Sequence, residues 1–414
     1  MEEKQTNDKI LTDAPVNHEA LWTRSFVKIW GFNLLLCFWF FMINAPFPLY
    51  IVELGGTELL VGIVAGGYAL TALLVRPFAG WFLDNHSRKG LLILGLLFLM
   101  IVSALLTLIP VLSIVIALRI MSGVLFAGTG TASTTNVYDT ISPRRFGEGV
   151  GFLGLGNTLA MAMAPALGFA IIANRGFNTL FAASFVVLLI AAIAMRGFPY
   201  RKIEKPATPQ KQPGSLLSRL FNIDALPASV VMLFTTVPFG GVTVFIALYG
   251  ELYGLGNAGL FFTLFAVGTG STRIFAGRIA DKRGEQPMVI VGNCFLFLSL
   301  MLLVTANIYS YYIAGLLFGI GSGVLLPAMQ AMSMRVVPAE RRGSASSTYL
   351  CSFDIASGAG GFFAGWVVTV WGYRPMFASL GIFLIISLLV YAFWASKTPS
   401  AFKVYKRNLK GEEI

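Results

Sequence analysis

The sequence predicts an all-α integral membrane protein, in which twelve transmembrane helices form two six-helix halves related by pseudo-two-fold symmetry. The first observation is composition, because 56% of the 414 residues are hydrophobic and only 12% are charged. Such an apolar chain cannot keep its surface in water. The second observation is an internal repeat. Arg76-Pro-Phe-Ala-Gly80-Trp-Phe-Leu-Asp84 returns in the second half of the chain as Arg273-Ile-Phe-Ala-Gly277-Arg-Ile-Ala-Asp281.

Each predicted helix follows from an apolar run. A helix needs about 20 apolar residues to cross the roughly 30 Å hydrocarbon core of a bilayer. The runs are continuous and not alternating, which favours helices over a β-barrel. Spans 1 to 12 are predicted at residues 29–51, 59–82, 91–111, 113–138, 148–173, 177–195, 225–249, 257–279, 288–306, 310–334, 345–370 and 375–395.

One polar segment divides the chain. Residues 196–224, between spans 6 and 7, combine lysines and arginines with prolines, which is the composition of a linker. The predicted order is an N-terminal segment 1–28, a six-helix bundle 29–195, the linker 196–224, a second six-helix bundle 225–396 and a tail 397–414.

Basic residues predict the orientation. Most of the 30 lysines and arginines fall outside the spans and on one side, and short basic loops stay in the cytoplasm. Both termini and the linker are therefore expected in the cytoplasm, with the chain in a plasma or inner membrane. The net charge of +11 is explained by this bias and by attraction to anionic membrane lipids, and not by nucleic-acid binding.

The repeat continues inside span 4, where Ser122-Gly-Val-Leu125 returns in span 10 as Ser322-Gly-Val-Leu325. Duplicated six-helix halves are typical of transporters, which bind a small molecule at the midplane and move it by alternating access. An enzyme is not expected, because the sequence shows no nucleophile–base pair, phosphate loop or metal-ligand set. The sequence predicts no cofactor, and a monomer is expected.

The loop between spans 2 and 3 has the pattern Gly80-x-x-x-Asp84-x-x-x-Arg88-Lys89. This pattern resembles the loop motif of the major facilitator superfamily, and the arrangement of six plus six spans extends the resemblance over the whole chain. Asn85 and Ser87 depart from the motif, which usually has arginine and glycine at these positions.

Span 4 carries a second resemblance. Its pattern Arg119-x-x-x-Gly123-x-x-x-x-Gly128 is similar to that of the drug/proton antiporter branch of the superfamily. In span 5, the set Gly156, Pro165 and Gly168 is similar to the antiporter helix that ends Gly-Pro-x-x-Gly-Gly. The resemblance implies export. The alternative is a packing helix, in which small residues let neighbouring helices approach closely.

The resemblance also implies a conformational latch on the cytoplasmic side. In this latch Asp139 pairs with Arg88, and Asp84 caps the start of span 11, where backbone N–H groups favour an anion. The contacts would hold that side closed in the outward-open state. The alternative is that Arg88 and Lys89 only enforce topology. The latch set comprises Gly80, Asp84, Arg88, Lys89, Asp139, Gly277 and Asp281.

Charges inside the spans are further candidates, since a charge at a helix centre in lipid costs roughly 2.5 kcal/mol or more. Arg119 is expected to face the cavity or to pair internally. Asp354, in span 11, is the deepest carboxylate, and we expect it to bind and release a coupling proton. Alternatively, Asp354 caps an interrupted helix or pairs permanently with Arg119, Arg76 or Arg273. Arg76 and Arg273 occupy equivalent positions in the two halves, which favours a structural role for both.

Uncharged polar residues within the spans are candidates for the substrate cavity. The alternative for each is a bond to a neighbouring helix, which is the commoner fate of a single amide. The aromatic run Phe38-Trp39-Phe40-Phe41 suggests a cavity for an apolar or amphipathic substrate. The cavity candidates are Asn33, Asn44, Asn136, Tyr138, Asn157 and Gln330.

The function predicted from these features is proton-coupled efflux of small organic molecules. Two alternatives stay open. One is a nutrient importer or uniporter of the same fold. The other is a membrane sensor or scaffold that binds a ligand without moving it.

Overall fold

The computed structural model describes residues 20–85, 88–142, 145–199, 222–337 and 342–404. The predicted N-terminal segment, linker and tail lie largely outside these ranges. The described residues are mostly helical, and short 3-10 helices at Ile223–Ala225 and Ala395–Lys397 precede and follow the second half. The α-helices are α1 (Arg24–Asn44), α2 (Phe47–Glu53), α3 (Glu58–Asn85), α4 (Arg88–Leu108), α5 (Leu112–Asp139), α6 (Phe146–Ala194), α7 (Leu226–Leu252), α8 (Ala258–Arg283), α9 (Gln286–Val304), α10 (Ile308–Met334), α11 (Arg342–Trp371) and α12 (Tyr373–Phe393).

The first span is a broken helix. Helix α1 ends at Asn44 and α2 begins at Phe47, so that Ala45 and Pro46 interrupt the run. Both residues keep backbone angles in the right-handed helical region, but Pro46 has no N–H to donate to the preceding turn. The break leaves the end of α1 next to the start of α2, deep within the first half.

Helix α6 accounts for two predicted spans. Near its beginning, Trp30 of α1 donates a hydrogen bond from Nε1 to the carbonyl oxygen of Phe152, at 2.9 Å. Just after its end, Lys28 donates from Nζ to the carbonyl oxygen of Arg196, at 2.8 Å. Between these points Gly176 has a φ of +77° and a ψ of 178°, which is not helical. Both ends of α6 therefore lie beside the beginning of α1, and the chain reverses near Gly176.

Two faces of the bundle follow from this path. We call the face that holds the beginning of α1 and both ends of α6 the linker face, and the opposite one the distal face. Ten stretches of the described residues are long and apolar enough to cross a membrane, and one of them, Phe152–Ala194, covers both passes of α6. The apolar part of α8, Ala258–Thr272, is shorter. Length and hydropathy of the described helices thus support fewer spans than the twelve predicted.

Each half repeats the packing of the other. In the first half α1 packs against α6, α3 against α5, and α4 against α5 and α6. In the second half α7 packs against α11, α8 against α10, and α9 against α10 and α12. The repeat in the sequence is therefore a repeat in the fold.

The two halves meet along helix pairs. The main contact of α3 is with α11, and α6 packs against α8. A Cβ atom at Gly62 would lie 2.9 Å from the carbonyl oxygen of Gly361, and one at Gly358 would lie 2.5 Å from the Cβ of Ala69. These close approaches require small residues. We call this contact the α3–α11 seam.

The halves also meet at the distal face, near the point where α6 reverses. There the ring of Phe169 stacks on that of Phe262 in α8, with centroids 5.9 Å apart. At the distal end of the seam, a Cβ atom at Gly365 would lie 3.1 Å from the carbonyl oxygen of Glu58, the first residue of α3. The halves are therefore packed together at the distal face.

Candidate functional site

An ion pair joins the two halves at the seam. The Nε atom of Arg76 in α3 lies 2.6 Å from Oδ2 of Asp354 in α11, and Nη2 of Arg76 donates a hydrogen bond to Oδ1 at 3.4 Å. The arginine side chain is 29% exposed and the aspartate side chain 15%. Of the two candidate partners whose side chains the structure describes, Arg76 and Arg119, Arg76 forms the pair with Asp354.

Helix periodicity explains why these two side chains meet. Asp354 precedes Gly358 by four residues and Arg76 follows Ala69 by seven, spacings that keep side chains on one face of a helix. Gly358 and Ala69 are in contact at the seam. The small residues that bring α3 and α11 together therefore also align the two charges.

Arg119 is buried within the first half. Its side chain is on α5, and the residue is 5% exposed. The guanidinium carbon lies 4.3 Å from the ring centroid of Tyr68 and 4.7 Å from that of Phe47. Nη2 donates a hydrogen bond to Oδ1 of Asn44. Asn44 and Phe47 flank the break in the first span, so Arg119 contacts both sides of that break.

The glycine four residues after Arg119 lets this contact form. A Cβ atom at Gly123 would lie 2.9 Å from the carbonyl oxygen of Tyr68 and 2.6 Å from Oγ1 of Thr71. A larger residue would push α5 away from α3, and the guanidinium would no longer reach the ring of Tyr68. The Arg119-x-x-x-Gly123 pattern is thus explained by the approach of α5 to α3.

Two of the candidate cavity amides bond to each other inside the first half. Asn33 donates from Nδ2 to Oδ1 of Asn157 at 2.8 Å, and Ser133 donates from Oγ to Oδ1 of Asn33 at 3.0 Å. The Sγ of Cys37 lies 3.3 Å from the same Asn157 oxygen. This network holds α1, α5 and α6 together. Its amides therefore have the helix-to-helix partners that the sequence left as the alternative.

The other amides and Tyr138 lie elsewhere. Asn136 donates from Nδ2 to the carbonyl oxygen of Ala132 at 2.7 Å, within α5. Tyr138 is exposed near the linker-face end of α5, and Gln330 is half-buried in α10. Only Asn44 of the six candidates contacts a buried charge through a bond that the structure describes.

Aromatic clusters lie in both halves. In the first half the ring of Phe40 stacks on Phe126, with centroids 4.5 Å apart, and lies 5.8 Å from that of Tyr68. In the second half the ring of Phe239 lies 5.9 Å from that of Phe318 and 5.7 Å from that of Phe353, the neighbour of Asp354. These rings are half-buried or buried. The arrangement suits a ligand with an apolar or aromatic portion.

The family model of the Major Facilitator Superfamily matches residues 29–261 and 255–410. The chain belongs to the Major Facilitator Superfamily. Its members are membrane transporters, so the superfamily assignment also supports the transporter interpretation of the repeat.

Relatives and solved structures agree with the superfamily assignment. The staphylopine export protein of Staphylococcus aureus is 25% identical over 376 residues, which cover 86% of this chain and 92% of that protein. A homologue of the multidrug resistance efflux pump PmrA from Lactococcus lactis is 23% identical over 391 residues, or 89% and 94% of the two chains. A bacterial homologue of the human lysosomal transporter Spinster has a similar fold, with a TM-score of 0.74, 16% identity and coverage of 92% and 98%.

The glycines predicted in span 5 lie in α6, where they pack against α1 within the first half. A Cβ atom at Gly168 would lie 2.6 Å from the carbonyl oxygen of Met42, and one at Gly156 would lie 3.2 Å from Nε1 of Trp30. Pro165 lies inside α6 between them. The two glycines therefore allow α6 to approach α1, and the link of all three residues to export stays a prediction.

The latch proposed for the superfamily motif falls mostly outside the described side chains. Helix α3 ends at Asn85 and α4 begins at Arg88. Lys89 and Asp139 are exposed near helix ends at the linker face. The side chains that lie outside the described part of the chain are those of Asp84, Arg88, Arg273 and Asp281, with Gly80 and Gly277 beside them.

A charged cluster at the linker face was not predicted from the sequence. Glu285, which is 2% exposed, accepts hydrogen bonds from Nη1 of Arg335 at 2.8 Å and from the backbone N–H of Phe402 at 2.9 Å. Arg335 also donates to the carbonyl oxygen of Ser400 at 2.7 Å. Glu285 is the residue just before α9, and Arg335 is the residue just after α10. Ser400 and Phe402 follow α12. We call these four residues the tail cluster.

One local feature of the sequence points to the tail cluster, and it lies in the loop that follows the second copy of the repeat. It reads Asp281-Lys-Arg-Gly284-Glu285, so that a glycine and an acid stand together after the repeat. Gly284 has a φ of +81°, which favours glycine. A Cβ atom there would lie 2.7 Å from the side chain of Phe402. The partners of Glu285, Arg335 and Phe402, come from two distant segments, so no local sequence pattern could have predicted them.

Proposed function

We propose that this superfamily member exports small organic molecules across the cell membrane by alternating access, coupled to the inward movement of protons. The ion pair between Arg76 and Asp354 is the observation that carries the proposal, because it spans a helix contact that must open during transport. Export as the direction is supported by similarity to a staphylopine export protein and to a multidrug efflux pump homologue.

The orientation is part of the proposal. The linker face lies in the cytoplasm, since it holds most of the basic residues and short basic loops stay on that side. The two six-helix bundles, 29–195 and 225–396, then move against each other about the midplane. Packing of the seam at the distal face corresponds to a state that is closed to the outside.

The proposed proton coupling depends on the ion pair at the α3–α11 seam. In the closed state Asp354 is charged and pairs with Arg76, which requires that its proton has left. When α3 and α11 separate, the carboxylate loses its counter-charge and is exposed to the outside, where it binds a proton. The protonated carboxyl group carries no charge, and it regains the pair only by releasing the proton on the other side. Each cycle therefore brings a proton inward while substrate leaves.

The opposite state needs contacts that close the linker face. We assign this role to the loop motif, with Asp84, Arg88, Lys89 and Asp139 in the first half. Gly277 and Asp281 are the corresponding positions of the second half, and Arg273 takes the position of Arg76. The two ends of the bundle then close in turn, the distal end by the seam and the linker end by the latch.

Transport in proteoliposomes tests the function. Purified protein is reconstituted, a pH gradient is imposed, and cationic dyes, sugars and organic acids are screened for uptake. We expect uptake of at least one class that depends on the gradient and stops when an ionophore dissipates it. Flux that ignores the gradient would indicate a uniporter, and ligand binding without flux would indicate a sensor. Either result would contradict proton-coupled efflux.

A further inference from the structure

Arg119 is a buried cation without a buried anion. In the part of the chain that the structure describes, its contacts are two aromatic rings and the neutral amide of Asn44. No carboxylate of the described residues forms an ion pair with it. An isolated charge in a low-dielectric interior is costly unless it is paired. Arg76, by contrast, is paired with Asp354. Among the described residues, therefore, no carboxylate compensates the charge of Arg119.

Among the described residues, one nitrogen of the guanidinium donates a side-chain hydrogen bond. The guanidinium has five N–H groups in one plane, and this nitrogen, Nη2, donates to Asn44. The rings of Tyr68 and Phe47 lie over the guanidinium group and accept no in-plane hydrogen bond. Planar N–H groups at the edge of a guanidinium match the two oxygens of a carboxylate. The edge that Asn44 does not occupy therefore suits this type of acceptor.

A second unpartnered group lies beside Arg119. The hydroxyl oxygen of Tyr68 is buried and has no hydrogen-bond partner among the described residues. A buried hydroxyl without a partner is destabilising, so its presence needs an explanation. A phenol O–H is a donor, as are the N–H groups of Arg119. An acceptor with a negative charge would satisfy both side chains together.

The aromatic rings indicate what else such a ligand contains. The ring of Tyr68, which contacts Arg119, lies 5.8 Å from that of Phe40, and Phe40 in turn stacks on Phe126. A ligand whose carboxylate contacts Arg119 would place its apolar or aromatic portion against Phe40 and Phe126. Amphipathic acids have this combination, whereas sugars and permanent cations do not.

We propose that Arg119, Tyr68 and Asn44 form a carboxylate-binding subsite, and that the transported molecules are organic acids with an apolar or aromatic portion. The proposal rests on the transport function and narrows its substrate class. In the subsite Arg119 supplies charge and in-plane donors, Tyr68 supplies its hydroxyl, and Asn44 fixes the guanidinium by accepting from Nη2.

Binding to the full-length protein in lipid nanodiscs tests this subsite without any gradient. The probes are indole-3-acetate and phenylacetate, each compared with its amide, which has nearly the same shape and no charge. We expect each acid to bind the wild type about tenfold or more tightly than its amide, since hydrogen bonds to charged groups are among the stronger ones. Arg119→Gln should abolish this preference.

A milder variant keeps the test valid if Arg119→Gln does not fold. Tyr68→Phe removes only the hydroxyl and leaves the ring under the guanidinium, and we expect it to lower the preference for acids several-fold. Tyr50→Phe is the matched control, because the Tyr50 hydroxyl is also buried and unpartnered among the described residues but packs beside Phe177 and Phe181. It should leave the preference unchanged.

Two results would overturn the subsite. One is that neither acid binds the wild type more tightly than its amide, and the other is that Tyr68→Phe and Tyr50→Phe behave alike. Failure of the transport function would look different. In that case acids would bind with the expected preference, yet proteoliposomes would show no flux that depends on the pH gradient.

Discussion

Arg76 and Asp354 lie 278 positions apart in the chain, yet their charged atoms approach to 2.6 Å. One belongs to the first half and the other to the second. Breaking a buried pair by removing one partner leaves an uncompensated charge, which is generally more destabilising than removing both. The pair is therefore a contact between the two halves, and our proposal gives it the further role of responding to their separation.

The first prediction concerns the energy of this pair. Arg76→Gln and Asp354→Asn should each lower the stability of the protein in detergent, whereas the double variant should lose less than the sum. The coupling energy from such a cycle should fall between about 0.5 and 3 kcal/mol. Additive losses would mean that the two side chains do not stabilise each other.

The second prediction concerns the seam. Gly62→Val should push α3 away from α11, because its new Cβ atom would meet the carbonyl oxygen of Gly361 at 2.9 Å. Spin labels at Thr57 and Trp371, at the distal ends of these helices, should report a longer distance by double electron–electron resonance. Gly130→Val in α5 is the matched control, since nothing lies within 4 Å of its position. An unchanged distance in Gly62→Val would show that the seam does not close the distal face.

The third prediction concerns the tail cluster. Glu285→Gln removes the charge that pairs with Arg335 and weakens the acceptor for the Phe402 N–H. We expect a loss of about 1–3 kcal/mol in apparent stability and faster tryptic cleavage at Lys403. The control is Glu251→Gln, since Glu251 is an exposed glutamate in the last turn of α7, at the distal face. It should change neither the stability nor the cleavage rate. Equal cleavage rates in the two variants would mean that Glu285 does not hold the tail.

The fourth prediction concerns the loop motif. Asp84→Asn should slow transport and shift the balance between the two conformations, because the anion proposed to cap α11 loses its charge. Expression and the affinity of the binding-competent state should stay close to those of the wild type. Wild-type turnover in this variant would indicate that the motif only sets topology.

The helical fold and its repeat could be predicted because both depend on local information. Long apolar runs specify helices, and Arg76 and Arg273 begin the same phrase in both halves. Interruptions were harder to foresee. The break of the first span at Pro46 and the joining of two spans through Gly176 depend on backbone geometry that hydropathy does not encode.

Partners of the buried polar groups could not be predicted, since they depend on which helix faces meet. The sequence offered three arginines for Asp354, and tertiary packing places Arg76 beside it. It placed Asn33 and Asn157 in the cavity or against neighbouring helices, and packing joins them to each other. Glu285 was visible in the sequence, but Arg335 and the tail residues meet it only in the folded protein.

The central claim is that protonation of Asp354 couples the proton gradient to transport. Its most direct test is the rate of gradient-driven transport by Asp354→Asn in proteoliposomes, with Asp224→Asn, an exposed carboxylate just before α7, as the control. We predict that Asp354→Asn loses uphill transport but keeps substrate binding and exchange at equal pH, while Asp224→Asn behaves as the wild type. Gradient-driven transport by Asp354→Asn at the wild-type rate and pH dependence would contradict the claim.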